Sequence, residues 1–342
     1  MSIEWVFDPA SPSGSRRGGN AAEYGFEGHI DTLVRETVQN SMDAGNPVEK
    51  RVDIGFRMVE LTGENMESFL DAMAWDSLRD NLEAVSRHGE SIKRAIEEMY
   101  ERNRILLLCI EDKNTYGLTG AEKRENDQET NRFSALVRDE LYSDKDHDDA
   151  GGSFGLGKIL LWVYSAYKTV LFSTVPERYP EGRQGLRFIG RTSLPYHETE
   201  GDGPCSGPGW LGIKKPAEHG HWAVSVWGDE AARYARQSHA YREPHETGLT
   251  TVIVGFEEPG QETREVADIL DSIVNASLES FWPALTRNYI GVKVCHELDG
   301  QVVQERDVIP DEHQEYSVLS KLLNDFDNGQ LEEMEYLARP GD

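Results

Sequence analysis

Glu36-Thr37-Val38-Gln39-Asn40-Ser41-Met42-Asp43-Ala44 closes a stretch, 28–44, in which Ile30, Leu33, Val34, Thr37, Val38 and Ser41 recur at three- and four-residue intervals. That period is one face of a helix, and Gly45, Asn46 and Pro47 supply its stop. Glu36, Asn40 and Asp43 fall at i, i+4 and i+7, so one side of the helix carries a carboxylate, a carboxamide and a second carboxylate. Polar groups on a face otherwise suited to burial are costly unless something polar sits against them. A metal-bound nucleotide meets that need; a solvated helix edge with a polar cap is the other reading of the same residues.

Working outward, Val52, Ile54, Phe56 and Met58 alternate with Asp53, Gly55 and Arg57, the pattern of a strand over 52–61. Residues 63–102 read as helical and charged. Ile105-Leu106-Leu107-Leu108-Cys109-Ile110 is a short apolar run between charged residues, a strand covered on both faces that delivers Glu111 and Asp112 to a sheet end. Residues 113–151 are polar and acidic, broken by one amphipathic piece with Phe133, Leu136, Val137 and Leu141 on a face. A connection this long in a compact domain is a lid or is disordered. Further on, 159–167 reads as a buried helix and 169–175, 186–191, 221–227 and 250–256 as strands of a mixed or antiparallel sheet. Glu257-Glu258-Pro259-Gly260 marks a boundary, followed by a helix over about 264–281 and a hairpin turning at Asp299-Gly300.

The 342 residues include 62 Asp and Glu against 35 Lys and Arg, a formal charge of -27. Such a surface repels phosphate backbones at long range, which disfavours direct nucleic-acid binding. Ser15-Arg16-Arg17-Gly18 is the small basic patch near a terminus and reads as part of a flexible arm over 1–24. No run approaches the roughly 20 uninterrupted apolar residues of a membrane-spanning helix, and the N-terminus lacks the apolar core of a secretory signal. Cys109, Cys205 and Cys295 stand far apart without C-x-x-C spacing, so we expect reduced thiols and a cytoplasmic protein.

The E-x-x-x-N-x-x-D-A pattern of residues 36–44 resembles the first motif of the GHKL ATPases, the superfamily that includes gyrase, the ninety-kilodalton heat-shock chaperone, histidine kinases, and MutL and MORC proteins. In that family a second motif, D-x-G-x-G, supplies an Asp that accepts a hydrogen bond from the adenine amino group, and Asp112 stands at the matching strand end. Here Asn114 takes the first glycine position and two extra residues precede Gly117; Asn is the non-glycine residue that best tolerates positive φ. Gly152-Ser153-Phe154-Gly155-Leu156-Gly157-Lys158 resembles the family's G-x-x-G-x-G at the end of the nucleotide lid. There the glycines let N–H groups approach phosphate oxygens, and Lys158 adds charge. The same residues nearly spell a P-loop, but position 159 is Ile and the acidic 144–149 stretch cannot be the strand a P-loop follows. Thr250, with Leu249 at the glycine position of G-T-x-V-x-V, is the candidate for the Thr that helps hold the adenine-binding Asp and a water.

The resemblance implies an α+β, Bergerat-type sandwich over 25–256. It has a mixed, mostly antiparallel sheet with helices on one face and a lid at about 113–157, and a smaller, transducer-like α/β region starts over 257–342. It also implies ATP and Mg2+ as ligands. Glu36 would orient and deprotonate water, Asn40 would hold Mg2+, Asp43 would support the motif helix, Asp112 would select adenine, and Gly152, Gly155 and Gly157 would close over the phosphates. Such ATPases act as dimerising switches, so a homodimer and a protein partner are expected, in a DNA-manipulating or phage-defence complex by analogy. A Lys or Arg from the following region often reaches the γ-phosphate; Lys214, Lys215, Arg287 and Lys293 are open candidates. A non-hydrolysing nucleotide sensor and a histidine kinase are the alternatives. His219-Gly220-His221 reads as a surface turn rather than half a metal site.

Overall fold

The computed structural model describes residues 2–16, 18, 29–49, 51–86, 90–124, 130–139, 157–218, 220–261 and 264–330. In chain order these form β1 (Glu4–Pro9), α1 (Ile30–Asp43), β2 (Val52–Thr62), α2 (Gly63–Ala72), α3 (Trp75–Ser86), α4 (Glu90–Arg102) and β3 (Arg104–Lys113). A π-helical turn (Ser134–Arg138) and a 3-10 turn (Gly157–Ile159) precede α5 (Leu160–Val163), β4 (Thr169–Val175), β5 (Arg187–Thr192), β6 (His197–Thr199), β7 (Gly203–Pro216), β8 (His221–Val224) and β9 (Val226–Trp227). The chain continues through α6 (Gly228–Gln237), β10 (Gly248–Val254), α7 (Val266–Thr286), β11 (Ile290–Leu298), β12 (Gln301–Asp307) and α8 (Gln314–Asp327).

The sheet runs β1-β7-β5-β4-β10-β3-β2-β11-β12, with β6 and β8 paired to β7 and β9 to β5. Neighbours along this path are antiparallel except β11 and β2, which run parallel from Ile290↔Val52 to Leu298↔Glu60. The fold is therefore α+β around a large, mostly antiparallel open sheet. Strand alternation divides its core in two. Ile54, Phe56 and Met58 of β2, with Leu108 and Ile110 of β3, pack beneath α1, α5 and α7. Val59 and Leu61, with Leu107 and Cys109, pack against α2, α3, α4 and α6. The expectation of helices on one face is corrected: a strand as apolar as β3 leaves both its faces to be covered, and the helices of 63–102 cover the second.

Three strands escape the sequence patterns, the short β6 and two longer ones. Glu4–Pro9, inside the stretch expected to be a flexible arm, is an edge strand whose Ile3, Trp5, Val6 and Phe7 are buried, and Trp5 Nε1 donates to the Met73 carbonyl at 2.8 Å. Its partner β7 reads GPCSGPGWLGIKKP, a composition that argues against a strand. The glycines serve close approach: a Cβ on Gly209 would lie 2.5 Å from the Phe7 ring, and one on Gly212 2.4 Å from the Val224 carbonyl oxygen. At the other end of the sheet, the region after residue 257 adds β11 and β12 to the same hydrogen-bonded path. Its helix α7 packs Ile269, Leu270 and Ile273 into the core that contains Leu33 and Val34 of α1. The hairpin turns at Asp299 (φ 49°) and Gly300 (φ 81°), as the sequence predicts.

Candidate functional site

Asp112 is the penultimate residue of β3 and pairs across the sheet with Ile54, on the α1 side. Only 8% of it is exposed. Its Oδ1 accepts from the Thr115 hydroxyl (2.5 Å) and the Leu249 N–H (2.9 Å), and its Oδ2 accepts a longer bond from the Ser41 hydroxyl (3.4 Å). Burial pushes the carboxyl above its ordinary pKa, opposed by the Arg242 charge and by these three donors. Ser41 also donates to the Thr37 carbonyl at 3.0 Å, which aims its hydroxyl along α1.

The turn after Asp112 has the glycine-like geometry its sequence suggested. Asn114 adopts φ 65° and Gly117 φ 60°. A Cβ on Gly117 would lie 2.7 Å from Thr174 Oγ1 and 2.9 Å from two carbonyl oxygens, so only glycine fits. The turn is tied to the end of α1: Asn46 N–H donates to the Asn114 carbonyl and Tyr116 N–H to the Ala44 carbonyl, both at 2.9 Å, and Gly45 bridges Thr115. The Asn114 carboxamide donates to the Arg51 carbonyl at 2.9 Å. The end of α1, the end of β3 and the start of β10 thus converge on one buried carboxylate.

On α1, Ser41 belongs to the buried row and Asn40 to the exposed row one step round the helix. Glu36 is half-buried, Asn40 and Asp43 are exposed, and Gln39 Nε2 holds Asp43 Oδ1 at 2.8 Å. Among the described residues no hydrogen bond reaches the Glu36 or Asn40 side chain. Gly152, Ser153, Phe154, Gly155 and Leu156 lie outside the described residues. Gly157 opens the 3-10 turn, which packs against α1. The Lys158 ammonium donates to the Ala135 (2.6 Å) and Asp139 (2.8 Å) carbonyls, closing the C-terminal end of the π-helical turn.

Thr250 lies on the sheet face away from the Asp112 carboxyl. Its register partners are Ser173 and Glu111, whereas Thr251 pairs with Phe172 and Ile110 of the α1-side core. The Thr250 side chain therefore points away from the Asp112 carboxyl and accepts from Arg242 Nη1 at 3.0 Å. Thr251 is the threonine on the Asp112 face. Gly248, one residue before Leu249, adopts φ 143°, and a Cβ there would fall 2.3 Å from the Asp112 carbonyl oxygen and 2.7 Å from its Oδ1. Sequence reasoning also missed Thr115 and Arg242. The T-x-x-spaced pair Asp112/Thr115 carries a local turn signal, but nothing in the order of residues marks Arg242.

Of the four candidates for a phosphate-directed cation, Lys214 pairs with Glu4, Arg287 with Asp327 and Lys293 with Glu305, while Lys215 is exposed. His219 lies outside the described residues. Among the described residues no three His, Cys, Asp or Glu side chains cluster to hold a metal ion, and no helix is long and apolar enough to cross a membrane. Compared with protein-family models and with curated proteins, the chain matches none.

Proposed function

We propose that the chain binds ATP with Mg2+ and hydrolyses it, acting as a nucleotide-driven dimerisation switch. The observation that supports this best is the Ser41–Asp112 contact: the helix that bears Glu36 and Asn40 touches, one step round, a buried carboxylate at a strand end. Asp112, with the Leu249 N–H beside it, offers an acceptor to the amino group of adenine. Glu36 stands half-buried on the same helix to orient and deprotonate the attacking water. Asn40 is an exposed carboxamide without a partner among the described residues, which fits a single protein ligand for Mg2+, a cation that keeps several waters and binds through substrate phosphates. Held there, Mg2+ would neutralise phosphate charge. Gly152, Gly155 and Gly157 would supply N–H groups to the phosphates.

A non-hydrolysing nucleotide sensor is the second reading, favoured by the engagement of Lys158 with main-chain carbonyls. Magnesium-dependent phosphate release by wild type and Glu36→Ala, at several protein concentrations, separates the two. The switch reading expects turnover that rises with protein concentration and is lost in Glu36→Ala while ATP binding is kept. ATP binding without turnover in the wild type supports the sensor instead.

A further inference from the structure

Arg242 lies in the 238–247 connection between α6 and β10, and only 3% of it is exposed. A buried guanidinium is expensive unless it is engaged on several sides, and what engages it here is the back of the Asp112 site. Nη2 donates to the main-chain carbonyl of Asp112 itself and reaches the Thr247 carbonyl at 3.3 Å, while Nη1 holds the Thr250 hydroxyl at 3.0 Å. One side chain thus joins the last turn of β3 to the first residues of β10, the two segments that set where the Asp112 carboxyl and the Leu249 N–H point. Gly248 stands between Arg242 and the carboxylate: a Cβ there would lie 2.5 Å from Arg242 Nη2 and 2.7 Å from Asp112 Oδ1. A side chain at 248 would collide with both groups, so the glycine is what lets them approach the same stretch of main chain from its two sides.

We infer that Arg242 is a positioning residue for base selection, keeping the Asp112 carboxyl aimed, from the opposite face of the sheet, as an acceptor for an exocyclic amino group. An acceptor in that position favours a 6-amino purine over a 6-oxo purine, whose carbonyl oxygen would face it. This rests on the ATP-binding reading for its ligand, but its effect on Asp112 exists in the free protein. Burial and the charges of Asp112, Glu111 and Glu246 act on Arg242; Glu111 in turn pairs with Arg57 and Glu246 with Lys113, both at 2.7 Å, and His245 also acts on Glu246.

The test combines two readouts on Arg242→Gln and Arg242→Lys. In nucleotide-free protein with 13C-labelled aspartate carboxyls, the Asp112 resonance, assigned with Asp112→Asn, is followed against pH. Its midpoint is expected to rise by about one pH unit in Arg242→Gln and to move back towards wild type in Arg242→Lys, which restores the charge. Affinities for ATP and GTP are then compared: the preference for ATP is expected to fall about tenfold in Arg242→Gln and to recover in part in Arg242→Lys. An unmoved Asp112 midpoint in a folded Arg242→Gln overturns the inference. Should Arg242→Gln fail to fold, Arg242→Lys decides. That variant keeps the charge but cannot span Thr250 and the Asp112 carbonyl together, so an ATP preference equal to wild type overturns the inference. A wild type that binds neither nucleotide removes the base-selection claim along with the ATP reading, whereas the carboxyl titration still reports whether Arg242 acts on Asp112.

Discussion

Asp112 has been given a position that works against the stability of the chain. Burial raises its pKa above the ordinary carboxylate value, so the folded state favours the neutral form and loses stability as the pH rises through the folded pKa. Asp112→Asn keeps an acceptor oxygen for the Leu249 N–H and carries no charge to bury. It is expected to melt above wild type at pH 7, with the gap closing as the pH falls below the carboxylate range. Paired thermal melts check this, and a variant that melts lower at pH 7 contradicts it. His239 shows the opposite sign. Burial, aided by Arg57, pushes its pKa down from 6.5 to about 4, so its contribution is complete above 6.5 and is lost as the pH falls towards 4. Urea unfolding at pH 7 and pH 4.5 should show a loss of roughly 2 kcal/mol from this group, absent in His239→Gln. Equal acid sensitivity of the two proteins would exclude the assignment.

Among the elements, α1, β2 and β3 were legible because each announces itself through period: 3.6 for the helix, two for β2, and an unbroken apolar run for β3. That β3 carries Asp112 to a strand end was legible too. What the residues did not disclose was register. Thr250 and Thr251 differ by one position, and one position turns a side chain to the other face of a sheet. The same strands explain why β7 was missed, since close packing on Phe7 and Val224 required residues that ordinarily argue against a strand. These glycines give a direct test. Gly117→Ala combines φ 60° with a Cβ 2.7 Å from Thr174 Oγ1 and is expected to cost roughly 1 to 3 kcal/mol in urea unfolding. Gly182→Ala, at φ 69° with nothing within 4 Å, should cost no more than about 1 kcal/mol. Equal costs would show that the packing around the Asp112 turn is looser than described.

For the whole molecule, composition indicated a protein with a substantial core and an acidic surface, the order of strands indicated a mixed or antiparallel sheet, and the α+β class came from the motif resemblance. Long-range closure was not readable: that Glu4–Pro9 seals one sheet edge against β7, and that β11 joins β2 in parallel at the other side, are pairings between segments roughly 200 or more residues apart. Removing residues 2–9 should therefore lower the melting temperature by several degrees, because Ile3, Trp5, Val6 and Phe7 each lose a buried position; a flexible arm would leave it unchanged. A nucleotide site at Asp112 is tested by a calorimetric titration of ATP with Mg2+ into the full chain and into Asp112→Asn. Saturable binding by the wild type, weakened at least tenfold in the folded variant, is expected. Equal binding by both proteins, or none by the wild type, would contradict it.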